Sequence, residues 1–169
     1  MIVTLAILGI ALAIAIPNVS IWLVRSRIQA AAGNLQQDVL WAKGYAIRSG
    51  YPVAVSIQGV AGACAWGISS EAPNPARQNV PQMLASQYAT EYLDTPCQIQ
   101  GALTAITFSV TPSGLVTDTT GGVTSAAVAF QSGSDPAEYG YWLIQISGAG
   151  DIRSCAASII NGAYTCNLQ

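Results

Sequence analysis

Twenty-four residues without a charge open this chain. From Met1 to Val24 the sequence reads MIVTLAILGIALAIAIPNVSIWLV, and the first charged side chain is Arg25. As a helix rising about 1.5 Å per residue, such a run covers roughly 30 Å of hydrocarbon with length to spare. No turn cluster follows. The chain passes directly into RSRIQAAAGNLQQDVLWAKGYAIRSG, where Ile28, Ala32, Leu35, Val39, Ala42 and Ala46 recur at alternating steps of four and three. That spacing predicts one apolar helix face, with Arg27, Gln36, Gln37, Lys43 and Arg48 mostly off it. One helix is expected, apolar all round in residues 1–24 and amphipathic in residues 25–50, ending at Ser49-Gly50. Its second half is expected to pack on its own domain. Pro17 removes one N–H and crowds the preceding turn, which predicts a kink or a locally melted segment over residues 13–17.

A cleavable secretory signal is the competing reading of the opening run. It requires a cationic start and a small-residue cleavage site. Here no Lys or Arg precedes the apolar residues and the helical pattern runs on, so the segment reads as retained. Trp22 falls where a membrane interface or a subunit–subunit core would hold an aromatic ring.

Residues 51–169 are enough for one domain with a real core. Val53, Val55 and Ile57 alternate with Ala54 and Ser56 after Tyr51-Pro52, the period of a half-buried strand. A second strand is expected over 64–69. The stretch SEAPNPARQNVPQ, with three prolines, reads as an irregular loop, and residues 83–95 as either a short strand or a loop bearing Tyr88 and Tyr92. Further strands are expected at 104–110, 114–118, 123–131 and 141–147, the last turning through Gly148-Ala149-Gly150 into 151–155. The fold class is therefore α+β: an antiparallel sheet with the N-terminal helix over one face.

Composition narrows the chemistry. Charged residues make up 8% of the chain, with six Lys and Arg, a net charge of −2 and no His. A typical soluble domain has about 25%. No basic patch is available for a phosphate backbone, and the usual general base and commonest metal ligand are missing. The carboxylates Asp38, Glu71, Glu91, Asp94, Asp118, Asp135, Glu138 and Asp151 show no spacing that calls for acid–base or metal work. Asp118 among Thr117, Thr119 and Thr120 reads as a polar turn rather than a cation site. There is no G-x-S-x-G and no phosphate-binding loop. No catalytic residue, metal site, cofactor or small-molecule substrate is expected. Trp41, Trp66 and Trp142 read as packing residues.

Cysteines stand at Cys64, Cys97, Cys155 and Cys166, which allows three pairings. Pairing in sequence order, Cys64–Cys97 and Cys155–Cys166, is the simplest. The segment CAASIINGAYTC then reads as a closed hairpin with Asn161-Gly162 at a type I′ turn. Disulfides point outside the cytosol.

The residues also carry a resemblance. MIVTLAILGIALAIAIPN is similar to the N-terminal helix of type IV pilins and type II secretion pseudopilins, entered just after the prepilin cleavage site. NLQQDVLWAKGYAIRSGYPVAVS resembles the GspH/FimT/FimU branch, whose patterned helix ends in "A-I-R-x-x" and leads to a "P-V-x-V" strand. ITFSVTPSGLV resembles that branch's middle strand-and-turn, and WLIQISGAGDIRSC its closing hairpin.

Spanning essentially the whole chain, the resemblance implies the pilin fold and a structural subunit, of the minor FimU/GspH kind, that helps prime or cap a pilus or pseudopilus. Polymerisation would run through Leu5, Ile7, Leu8, Ile10, Leu12, Ile14, Ile16, Pro17 and Trp22, packed on the helices of other pilin subunits. Before assembly that helix would cross the bacterial inner membrane once, with the domain in the periplasm. By the spacing of Gly9 and Pro17, the family's leader glycine and early acidic residue would fall upstream of Met1. FimT-like pilins can carry a G-R-x-R motif that contacts DNA in the closing hairpin. This chain has Gly150-Asp151-Ile152-Arg153, an acid where the first arginine belongs. Only Arg153 matches, as a weak DNA contact, and nucleic acid is not an expected partner. The alternatives are a DNA-uptake pilin, the major subunit of a filament, and an anchored periplasmic domain that binds a ligand without polymerising.

Overall fold

The computed structural model describes the backbone of residues 2–60, 63–70, 82–87, 95–100, 104–160 and 162–166, and the side chains of these apart from residues 2–18, 60 and 82–87. One helix, α1 (Ile2–Ser49), dominates it. The helical backbone runs unbroken through Pro17, so the melted segment expected over residues 13–17 does not form. A proline inside a helix costs about 3 kcal/mol, yet the turns on either side keep their own hydrogen bonds. At the other end the Gly50 N–H donates to Ala46 O at 3.0 Å with φ +74°, a left-handed stop that glycine adopts without strain.

The strands are β1 (Val53–Val60), β2 (Ala63–Ser70), β3 (Gln82–Gln87), β4 (Cys97–Ile99), β5 (Ala105–Val110), β6 (Val116–Thr117), β7 (Ala126–Gln131), β8 (Tyr141–Ile146), β9 (Ile152–Ile160) and β10 (Ala163–Cys166), with a short helix α2 (Pro136–Tyr139) before β8. Asp135 caps α2 by accepting from Glu138 N at 3.1 Å. Where one sheet was expected there are two, ordered β3-β2-β1-β5-β6 and β10-β9-β8-β7-β4. Alternation identifies strands but says nothing of their neighbours, and the three-residue β4 is too short to leave a periodic signal. The expected strand or loop at 83–95 begins as β3, while residues 88–94, with Tyr88 and Tyr92, lie outside the described residues, as do residues 71–81.

Both sheets turn an apolar face toward α1. Val53, Val55 and Ile57 of β1, Ile68 of β2 and Phe108 of β5 join Val128, Phe130, Ile144 and Ile146 of the second sheet in one buried cluster. Ile28, Ala31, Ala32, Leu35, Val39, Ala42 and Ala46 of α1 complete it. The small alanines let the helix approach both sheets closely.

The second sheet also buries part of its other face. Ala129, Leu143 and Ala157 are covered by Tyr141, Tyr164 and the Cys155–Cys166 pair. The Tyr164 hydroxyl donates to the Gln98 side-chain carbonyl, joining edge strand β10 to the opposite edge β4, so this sheet is strongly curled. Burial, with a smaller contribution from Tyr141, raises the Tyr164 pKa above its usual value and keeps the hydroxyl a donor. The disulfides are Cys64–Cys97, with Cα atoms 5.2 Å apart, and Cys155–Cys166, at 5.6 Å. The first ties β2 of one sheet to β4 of the other; the second closes the β9–β10 hairpin.

Candidate assembly surface

Helix α1 is bolted to the domain at two heights. Near its top, Lys43 Nζ donates to Gly150 O at 2.8 Å. A Cβ at Gly150 would lie 2.1 Å from Gly114 O, and φ there is +78°, so only glycine fits where the β8–β9 turn meets the β5–β6 turn and the lysine. Near the base, Arg25 Nη2 donates to Glu138 O at 3.1 Å. Between these points Trp66 Nε1 donates to Asp38 Oδ2 at 2.8 Å, while the indole meets Phe130 edge-on at 6.2 Å. Trp66 and the half-buried Trp142 are packing residues of the core.

Trp41 is not. It is 42% exposed and leans on Tyr45 with ring centroids 5.6 Å apart. At 100° per residue it lies on the side of α1 turned away from Leu35 and Val39. Trp22, Leu40 and Ile47 lie within about 20° of one another on a different outward flank, about 100–120° round the helix from Trp41, at 66%, 48% and 54% exposure. Gly33 falls in line with them, with nothing within 4 Å of a Cβ added there. Trp22, Leu40 and Ile47 thus form a discontinuous apolar strip up one outward flank of α1, with Gln29, Gly33 and Gln36 between Trp22 and Leu40, and Trp41 stands on the other flank. The apolar spacing of residues 25–50 points to packing on their own domain and leaves Leu40, Trp41 and Ile47 unaccounted for, whereas Trp22 is expected at an interface. The signal is present all the same: Leu40, Trp41 and Ile47 fall outside the stripe of Leu35, Val39 and Ala46, about 80° or more round the helix from each of its members.

Toward the N-terminus, Val19 and Leu23 are also exposed, and among the described residues Val24 is the first apolar one packed against the core. Leu5, Ile7, Leu8, Ile10, Leu12, Ile14, Ile16 and Pro17 belong to the backbone of α1, and their side chains lie outside the described residues. Among the described residues no helix is long and apolar enough to cross a membrane.

The remaining candidates are polar. Arg153 is exposed and lines a cleft of about 510 Å³ with Asp151, Gln100, Gln145, Ser125 and Ser147. A carboxylate in the same cleft lowers the positive potential that a phosphate would need. Asp118 Oδ1 accepts from Thr120 Oγ1 at 2.7 Å, Thr120 N at 2.8 Å and Gly122 N at 2.9 Å. These bonds, the Thr120 hydroxyl first, hold its carboxyl below the usual carboxylate range. Thr117 instead donates to Ser109 O at 3.3 Å, so the segment is a closed polar turn. Among the described residues no group of three or more His, Cys, Asp or Glu side chains could hold a metal ion.

No protein-family model and no curated protein sequence matches the chain. Solved structures do. The type IV minor pilin FimU of Pseudomonas aeruginosa superposes with a TM-score of 0.50 at 22% identity, covering 76% of this chain and 88% of that one. The minor pseudopilin EpsH of the type 2 secretion system of Vibrio cholerae does so with a TM-score of 0.54 at 14% identity, covering 77% and 97%. A long N-terminal helix lying across antiparallel sheets is common ground with both, and the chain has the type IV pilin and pseudopilin fold.

Proposed function

We propose that this chain is a structural subunit, of the minor FimU/GspH-like kind, of a type IV pilus or a type II secretion pseudopilus. Residues 1–24 are its polymerisation element, residues 25–50 the shaft that carries the domain, and residues 51–169 the outward module. The observation that carries this reading is the exposure of apolar side chains on the outside of α1. Trp22, Leu40, Trp41 and Ile47 stand 42–66% exposed on the same helix that begins with the uncharged run, which leaves them available to neighbouring subunits. A helix that satisfies its own backbone is stable in lipid, and exchanging lipid for neighbouring helices sacrifices little apolar burial. The subunit would wait in the inner membrane as a single pass, with its domain and disulfides in the periplasm. The role is one of assembly, without enzymatic turnover and without nucleic acid as partner.

Cysteines placed at Ile7 and Ile14 test the reading in cells. Oxidative cross-linking should give ladders of subunits in the assembled fibre. Monomers alone, from protein that remains in the bilayer while fibres form, would overturn it.

A further inference from the structure

We propose that the tip of the β9–β10 hairpin is a second membrane contact, resting on the bilayer interface beside α1 and setting how the domain stands over the membrane. The proposal rests on the reading of α1 as a membrane anchor. Lys43 bonds Gly150 at the top of the domain, while Arg25, Ile28 and Gln29 line a groove of about 280 Å³ with Ala156 and Ala157 at its base. Strand β9 therefore descends as α1 ascends. The drop from Lys43 to Arg25 is about 27 Å of helix, and that from Gly150 to Ala157 about 23 Å of strand, so the two run alongside.

Past Ala157 the strand continues to Ile160, about 10 Å further at 3.3 Å per residue, which takes it below Arg25 to the level of Val19 and Trp22. Strand β10 returns from there, after a turn in which Gly162 has φ +77°. At this tip Ile159 is 48% and Ile160 55% exposed. The chain carries no charged side chain anywhere after Arg153. The end of β9 before the Asn161-Gly162 turn is thus apolar, the hairpin there is uncharged, and by these lengths it lies level with the exposed Val19, Trp22 and Leu23 of the helix.

A bilayer suits this tip better than a protein surface does. Neighbouring residues of a strand point to opposite faces, so Ile159 and Ile160 make both sides of the hairpin apolar. A subunit docked on one side leaves the other bare, whereas the interfacial zone of a membrane surrounds both. Trp22 marks the same zone on the helix, where indoles concentrate, and Arg25 is the first charge above it.

Depth-dependent quenching tests this in the full chain, reconstituted into phosphatidylethanolamine–phosphatidylglycerol vesicles that contain acyl-brominated lipid. The loss of quenching on Trp22→Phe reports the anchor. In that background Ile160→Trp, and separately Ile159→Trp on the opposite face, report the hairpin. The expected result is that each introduced indole is quenched by the brominated lipid to an extent comparable with Trp22. Quenching of Trp22 without quenching at 159 or 160 would overturn the proposal and leave the anchor standing. Failure to quench Trp22 would remove the anchor reading, and the proposal with it. Introduced indoles that stay unquenched in vesicles and become shielded from aqueous acrylamide only in assembled filaments would overturn it in favour of a subunit contact.

Discussion

Leu35 and Leu40 stand five residues apart on one helix, the first with 0% of its surface exposed and the second with 48%. The same contrast holds between Val39 and Ile47, or between Ala42 and Trp41. The inward stripe is closed by two sheets at once, while Leu40, Trp41 and Ile47 on the outward flanks stay 42–54% exposed. Residue type does not separate the two sets. Angle around the helix does, which assigns one set to holding the fold and leaves the other for contacts beyond it.

Replacements on the two sides should therefore fail in different ways. Leu35→Ala opens a cavity beneath both sheets and should cost about 2–5 kcal/mol in denaturant unfolding, whereas Leu40→Ala should stay within about 0.5 kcal/mol. Equal losses at the two positions would erase the contrast. At the flank of the inward stripe, Asp38→Ala removes the acceptor of the Trp66 N–H and should cost about 1–2 kcal/mol, with Asp38→Asn recovering most of it because the amide oxygen still accepts.

On the outward side, Trp41→Ser with Ile47→Ser should shift the unfolding midpoint little, each within about 0.5 kcal/mol. The same pair should deplete the protein from sheared fibres relative to the membrane fraction. Normal incorporation would leave Trp41 and Ile47 without a role in assembly. The smallest effect belongs to a turn remote from both faces. The Asp118 carboxyl is held below its ordinary range, so it favours the folded state above the unfolded carboxylate value near 4 and loses that contribution as pH falls through its folded value. Asp118→Asn should leave stability between about pH 2 and pH 5 less steeply dependent on pH, which urea titrations at several pH values would show.

Much of this architecture is legible in the order of residues. Spacing alone picks out Ile28, Ala32, Leu35, Val39, Ala42 and Ala46, and all are buried. That pattern survives because a regular helix converts sequence intervals directly into angles. Strand β1 and the β8–β9 hairpin are legible for a related reason, since alternation and glycine turns are local signals. Two sheets in place of one are not legible, nor is β4, whose three residues matter through their pairing with β7 and the link from Cys97 to Cys64. The outward strip escapes notice because the inward stripe already accounts for the helix. Trp41 reads as a core residue by its size, whereas its angle places it outside.

Sequence by itself determined the uncharged run up to Val24, the amphipathic shaft that follows it, and the absence of histidine, because these depend only on which residues stand next to which. Tertiary structure alone decided that a disulfide and a buried glycine turn would tie two sheets to one helix, and that Ile159 and Ile160 would stand exposed at the end of β9. Those placements depend on which distant strands pair and how far each runs past its neighbour. The free energy that selects them is a property of the packed whole, and no interval along the chain records it.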